Sequence, residues 1–192
     1  MSSFYEREFA EHLTVARATS EQLVAPFGKV VAACVEAIRA QRKIFFFGNG
    51  GSAADAQHLA TELTIRYKKD RAPIAAIALT TDSSALTAAG NDMGFEHVFA
   101  RPLAALGQRG DVAIGITTSG RSPNIIEAFR VARRLGITTI AFTGGTGGDI
   151  LALSDHALVV PSTVTARIQE MHITLGQMLC GALEIELGLV QG

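Results

Sequence analysis

The sequence predicts an α/β fold, a five-stranded parallel sheet flanked by helices, and three observations carry that prediction. Short apolar segments alternate with helical ones from residue 44 onward, the pattern left by parallel strands joined through helical crossovers. The strand segments are apolar throughout, as in Ile44-Phe-Phe-Phe47, which suits strands covered on both faces. A glycine-rich turn, Gly48-Asn-Gly-Gly-Ser52, follows the first strand directly.

Two helical segments lead the chain, residues 4–23 and 26–40, the second carrying Val30, Val31, Cys34, Val35 and Ile38 at helical spacing. A strand at 44–47 follows, then a helix over 53–67, with Ser52 expected as its N-cap and Asp55 in its first turn. A second strand at 75–79 leads into helical segments that run to residue 106. Next come a strand at 112–117, a helix over 123–135 with Ser122 as N-cap and Pro123 at its first position, and a strand at 138–142. A short helix at 148–153, a strand at 157–160 and a long helix over 165–187 complete a single domain of residues 1–192. With the strands in flavodoxin-like order 2-1-3-4-5, ligands are expected at the crevice between strands 1 and 3, where the order reverses.

Composition narrows the function classes. Of 192 residues, 48% are hydrophobic and 18% charged, and the formal net charge is −1. Such a chain is too apolar for disorder, and it has no basic field to gather nucleic acid or an anionic membrane. The basic run Arg66-Tyr-Lys-Lys-Asp-Arg71 stands at a helix end, where it complements the macrodipole, and reads as a solvated face. No apolar run approaches the roughly 20 residues of a membrane span, and the N-terminus lacks the charged-then-apolar order of a signal peptide. Cys34 and Cys180 have no metal-type spacing and read as reduced core residues. A soluble, cytoplasmic protein with a small-molecule or protein partner is the expectation.

The candidate chemistry sits in two loops and one helix. Gly48, Gly50 and Gly51 allow close backbone approach, and the helix that follows presents free N–H groups to an anion. After the third strand, Thr117-Thr-Ser-Gly-Arg-Ser122 brings a second set of hydroxyls and amides to the same crevice. Together the loops predict a phosphate pocket. His58 and Glu62, four residues apart, share a helix face and offer acid–base groups beside it. Gly48-x-Gly50-x-x-Ala53 also matches a dinucleotide fingerprint, but no acidic residue stands about twenty positions on to take a ribose hydroxyl.

These segments, with Ala78-Leu-Thr-Thr-Asp82, Ala89-Gly-Asn-Asp92, Phe142-Thr-Gly144 and Ala166-Arg-Ile-Gln-Glu-Met-His172, resemble the sugar isomerase (SIS) domain and, within it, the phosphoheptose isomerase family. The resemblance covers almost the whole chain. It implies interconversion of sedoheptulose 7-phosphate and D-glycero-D-manno-heptose 7-phosphate for lipopolysaccharide or related glycans. It also implies a homotetramer packed through helices that include residues 1–40, with active sites built across subunits. Phosphate ligands would be Ser52, Ser119 and Ser122 with Thr117 and Thr118; sugar contacts would be Asn49, Gly50, Gly51, Asn91 and Asp92. Glu62 would be the acid–base group. Zinc, where the family holds it, would take His58, Glu62, Gln169 and a histidine at position 177, which is also the second proton-transfer group. This chain has Gln177 there, whose amide neither takes nor gives a proton near neutral pH. His172 matches a different family histidine and reads as a hydrogen-bonded helix residue. Two non-catalytic readings stand beside the isomerase: a SIS tetramer that binds the bacterial replication initiator, and a sugar-phosphate sensor. Retention of Glu62 with the glycine loop favours the enzyme.

Overall fold

The computed structural model describes residues 2–191. Helices α1 (Ser2–Gln22) and α2 (Val24–Arg39) precede strand β1 (Ile44–Gly48), which runs through the glycine turn into α3 (Gly51–Thr64). Strand β2 (Ala76–Ala78) leads to α4 (Ser83–Met93) and α5 (Ala100–Leu106). Strand β3 (Val112–Ile116), α6 (Pro123–Leu135), β4 (Thr138–Gly144), a 3-10 turn (Asp149–Leu153), β5 (His156–Val160) and α7 (Thr165–Glu186) complete the chain.

All pairings are parallel, in the order β2-β1-β3-β4-β5, as the sequence led us to expect. Strands β1 and β3 are in register from Ile44 opposite Val112 to Gly48 opposite Ile116, so their two loops leave the sheet side by side. Alternate β1 residues face opposite layers. Phe46 packs with Val112 and Ile114 under α2, α3 and α7, while Phe45 and Phe47 pack with Phe99, Ile125 and Phe129 under α5 and α6. All four β1 side chains from Ile44 to Phe47 are fully buried, which is why this strand carries no polar position.

The structure corrects two expectations, on the start of α3 and on the basic run, and bears out a third, the cap of α6, with a different bond. Helix α3 begins two residues before 53: Gly50, with φ of 56°, stands at its N-cap and no side chain caps it, so Ser52 lies buried inside the first turn. Ser122 does occupy the N-cap of α6 but makes no cap bond, and its hydroxyl instead meets that of Thr117 at 3.0 Å. The basic run is not uniformly solvated. Arg66, Lys68 and Lys69 are exposed, whereas the Arg71 side chain is 1% exposed and ends α3 at Thr64 by taking the carbonyls of Glu62 and Leu63. Cys34 and Cys180 are buried, as expected, and burial pushes both thiols up to about 12, which leaves them unreactive. Among the described residues, no helix is long and apolar enough to cross a membrane.

Candidate active site

The first loop depends on two glycines. A Cβ on Gly48 would fall 2.6 Å from the Ser52 Cβ and 2.9 Å from the Ile116 carbonyl oxygen, so only glycine lets α3 start this close to the end of β3. Gly50 supplies the positive φ that turns the chain into the helix. Asn49, between them, is held by Asn124 in the first turn of α6: each amide donates to the other's carbonyl oxygen, at 2.9 and 2.8 Å. This reciprocal pair ties the β1 loop to the helix that follows the β3 loop. Sequence reasoning named Asn49 and missed Asn124, which is 2% exposed.

The second loop is folded tightly on itself and on its neighbour. The Ser119 hydroxyl accepts from the Arg121 N–H at 3.2 Å, and Gly120 packs so closely on Gly147 that a Cβ would come within 1.8 Å of its carbonyl oxygen. Beside this loop opens a cavity of about 330 Å³ lined by Thr118, Ser119, Arg121, Thr146, Ser162 and Thr165 among others. Hydroxyls and one guanidinium suit an anionic, hydroxylated ligand. Arg121 and the β4 and β5 loop hydroxyls were not singled out from sequence, since only the sheet topology brings those loops together.

Helices α3 and α7 bring the expected acid–base residue Glu62 together with His58 and Gln177. His58 Nε2 lies 3.0 Å from Glu62 Oε1, as the four-residue spacing predicted, and 2.9 Å from the Gln177 side-chain nitrogen. One imidazole nitrogen thus meets two partners. When Nε2 carries a proton it donates to the Glu62 carboxylate; when bare it accepts the Gln177 N–H. Glu62 is the more enclosed of the first pair, its side chain 19% exposed against 51% for His58. The close approach of the helices has a simple cause: a Cβ on Gly176 would strike Leu59 at 2.5 Å. Gln169 reaches the glycine loop, its amide nitrogen 3.2 Å from where a Gly51 Cβ would lie. Asp55, one turn before His58 and read from sequence only as a first-turn residue, is half-buried. Burial raises its carboxyl above the ordinary range, a shift that His58 opposes.

Not every expected residue joins this cluster. Asn91 and Asp92 are exposed in the last turn of α4 and bond to each other at 2.7 Å, with no hydrogen bond to either loop among the described residues. His172 is fully buried, where its Nε2 meets the Thr143 carbonyl oxygen at 3.1 Å, in keeping with a structural role. The four side chains expected to hold zinc do not fit that ion well. They comprise one imidazole, one carboxylate and two neutral amides, whereas zinc takes imidazole, thiolate and carboxylate donors. Among the described residues, no group of three His, Cys, Asp or Glu side chains could hold a metal.

The SIS domain family matches residues 5–144. The phosphoheptose isomerase of Paramagnetospirillum magneticum is 53% identical over 183 residues, covering 95% of this chain and 95% of that protein. The chain belongs to the phosphoheptose isomerase family of SIS domain proteins. The phosphoheptose isomerase of Campylobacter jejuni is 50% identical over 184 residues, covering 96% of this chain and 98% of the other. Among solved structures, the phosphoheptose isomerase from Neisseria gonorrhoeae matches with a TM-score of 0.90 at 44% identity, over 95% of this chain and 98% of that one. The Francisella tularensis phosphoheptose isomerase matches with a TM-score of 0.92 at 35% identity, over 94% and 96%. Within the phosphoheptose isomerase fold, then, this chain places two converging donor loops at one end of α3 and the His58, Glu62 and Gln177 cluster near the other.

Proposed function

We propose that the chain interconverts sedoheptulose 7-phosphate and D-glycero-D-manno-heptose 7-phosphate through an enediol, supplying heptose for surface glycans. The observation that carries this is the Glu62 carboxylate, enclosed between helices and 3.0 Å from His58, on the helix that starts at the glycine loop. Ser52 and Glu62 are ten residues apart, about 15 Å of helix rise. An extended seven-carbon phosphate suits that separation better than a triose does.

In this reading the phosphate sits against Ser52, Thr117, Thr118, Ser119 and Ser122, with the N-terminal amides of α3 and α6 adding partial positive charge. Asn49, Gly50, Gly51 and Gln169 line the path of the sugar, which Asn91 and Asp92 are expected to contact as well. The Glu62 carboxylate removes a proton from C1 of the open ketose while the C2 carbonyl oxygen takes one from water, which gives the enediol. The protonated Glu62 then returns its proton to C2 and the C1 hydroxyl loses its proton to water, which yields the aldose. Atoms and charge balance with no redox partner. Both carbon transfers can run on one face of a cis-enediol, so a single carboxylate suffices. Gln177 contributes a hydrogen bond to a substrate oxygen and no proton. Lacking the second titrating group, the chain is a slow isomerase, since one general acid–base group is worth on the order of 10² to 10⁴ in rate. No step is routed through zinc, given the donor set.

A cytoplasmic homotetramer is part of the same proposal. Phe4, Tyr5, Phe9 and Leu13 leave an apolar stripe of α1 exposed, and an apolar groove of about 340 Å³ between α1, α2 and α7 is lined by none of the loop residues. Surfaces of this kind favour association. One alternative has a specific support: Gln177 is also what a sugar-phosphate sensor without turnover would carry. The test is proton NMR of sedoheptulose 7-phosphate in D₂O with the purified protein. Deuterium at carbon with new aldose signals supports the isomerase, and tight binding without exchange supports the sensor and overturns the enzyme.

A further inference from the structure

The guanidinium of Arg71 is one of the most thoroughly engaged groups in the chain, and the chemistry above makes no direct use of it. Its Nε donates to the Glu184 carboxylate at 2.8 Å, with the two side chains 1% and 2% exposed. Its two terminal nitrogens donate to the Glu62 and Leu63 carbonyls, each at 2.7 Å, and one of them also reaches the Ala72 carbonyl at 3.1 Å. The same Glu184 oxygen accepts the Tyr67 N–H at 3.1 Å, while the Tyr67 ring covers Gly181 so closely that a Cβ there would lie 2.9 Å away. One buried fork therefore grips the last turn of α3 at Glu62 itself and is anchored to α7 at Glu184. Gln177 lies seven residues before Glu184, two turns earlier on the same face of that helix.

We propose that Arg71 is a positioning residue for the reaction: by holding the Glu62 backbone to Glu184 of α7, it fixes the Glu62 carboxylate against His58 and Gln177 and toward the substrate. The inference rests on the isomerase reading and deepens it. A planar guanidinium suits the task because it can bond two carbonyls and a carboxylate in fixed directions at once, which a lysine ammonium on a flexible stem cannot. Displacement of a reacting group by about 1 Å can cost on the order of 10²-fold in rate. Arg71 never touches substrate, so its loss is expected in kcat and hardly in KM.

The full chain is assayed with sedoheptulose 7-phosphate as wild type, Arg71→Lys, Arg71→Met and Arg71→Met/Glu184→Leu. Arg71→Met alone leaves the buried Glu184 carboxylate with the Tyr67 N–H but no cation opposite it, and should lower Tm. The double variant removes the uncompensated charge, and although the Tyr67 N–H and the Glu62 and Leu63 carbonyls lose these partners, part of the lost stability should return. The expected result is a double variant with Tm above that of Arg71→Met but kcat down by roughly 10- to 100-fold and KM within about twofold, because charge balance returns and the grip on Glu62 does not. Recovery of both Tm and kcat overturns the proposal. If the double variant fails to fold, Arg71→Lys decides: it keeps the charge opposite Glu184, and an unchanged kcat there overturns the proposal. Wild-type turnover, measured alongside, tests the isomerase reading separately. Should wild type prove inactive, positioning is judged from spectra of nitrogen-15-labelled histidine. Movement of the His58 side-chain resonances in Arg71→Lys supports it, and their constancy overturns it.

Discussion

Acid should loosen the chain through one residue, His172. Its Nε2–H donates to the Thr143 carbonyl of β4, while Nδ1 is buried with no hydrogen-bond partner and the ring lies 6.1 Å from that of Phe142. Burial lowers its pKa from the ordinary 6.5 to about 4, with the bond to Thr143 opposing part of that shift. Between those two values the unfolded chain binds a proton that the folded chain does not, so stability falls as the pH drops through 6.5 and the loss is complete below about 4. At about 1.4 kcal/mol per pH unit the interval amounts to about 3 kcal/mol, of which about 2 kcal/mol is gone by pH 5. His172→Gln keeps an amide donor near the Thr143 carbonyl and cannot titrate. Urea unfolding of both proteins, at one fixed protein concentration, should therefore show wild type losing about 2 kcal/mol more than the variant between pH 7.5 and pH 5. Parallel losses in the two proteins would refute the reasoning. The effect matters for function because His172 joins α7 to the sheet midway between Gln169 and Gln177.

Three further predictions concern the site. Glu62→Gln should remove turnover by at least about 10²-fold while leaving sedoheptulose 7-phosphate binding by calorimetry within a few fold, and full activity would remove Glu62 from the chemistry. Gln177→His should raise kcat by roughly 10-fold or more and create a zinc set of two imidazoles and a carboxylate, read as tight zinc uptake that wild type lacks. Asn124→Leu breaks the reciprocal amide pair and frees the β1 loop. With the half-buried Asn49 amide released from its partner, KM should rise several-fold or more, and an unchanged KM would show that the pair does not shape the pocket.

The strands and the sheet order were legible because their signal is local. Ile44 to Phe47 is apolar at every position, and the alternation of elements leaves little choice of topology once crossovers are right-handed. The loops were legible for the same reason, since glycines at a strand-to-helix turn have few other uses. Helix starts were less so. Ser52 looked like a cap because serine usually is one, yet Gly50 reaches a conformation that starts the helix earlier and turns Ser52 inward. What the sequence could not announce were partners distant along the chain. Arg71 reads as one more cation in a basic run; its burial depends on Glu184, 113 residues away. Gln177 reads as a lost histidine, and its contact with His58 across a separation of 119 residues appears only when α3 and α7 are side by side.

That contrast bears on the mechanism itself. The two loops proposed to hold phosphate are each built from neighbouring residues and tolerate little change, because a Cβ at Gly48 or Gly120 would meet backbone. The acid–base end is assembled from two helices that touch at Leu59 and Gly176 and are tied by Arg71 and Glu184. On the proposed mechanism, glutamine rather than histidine at position 177 therefore bears on the rate without disturbing the loops proposed to hold phosphate. Substrate affinity and turnover should separate in this chain, with affinity following the loops and rate following the contact between α3 and α7. Measuring kcat and KM for Gln177→His and Asn124→Leu side by side tests that division: the first should move mainly kcat and the second mainly KM. If both parameters move together in both variants, the two ends of the site are not independent and the account of a single slow base at Glu62 fails.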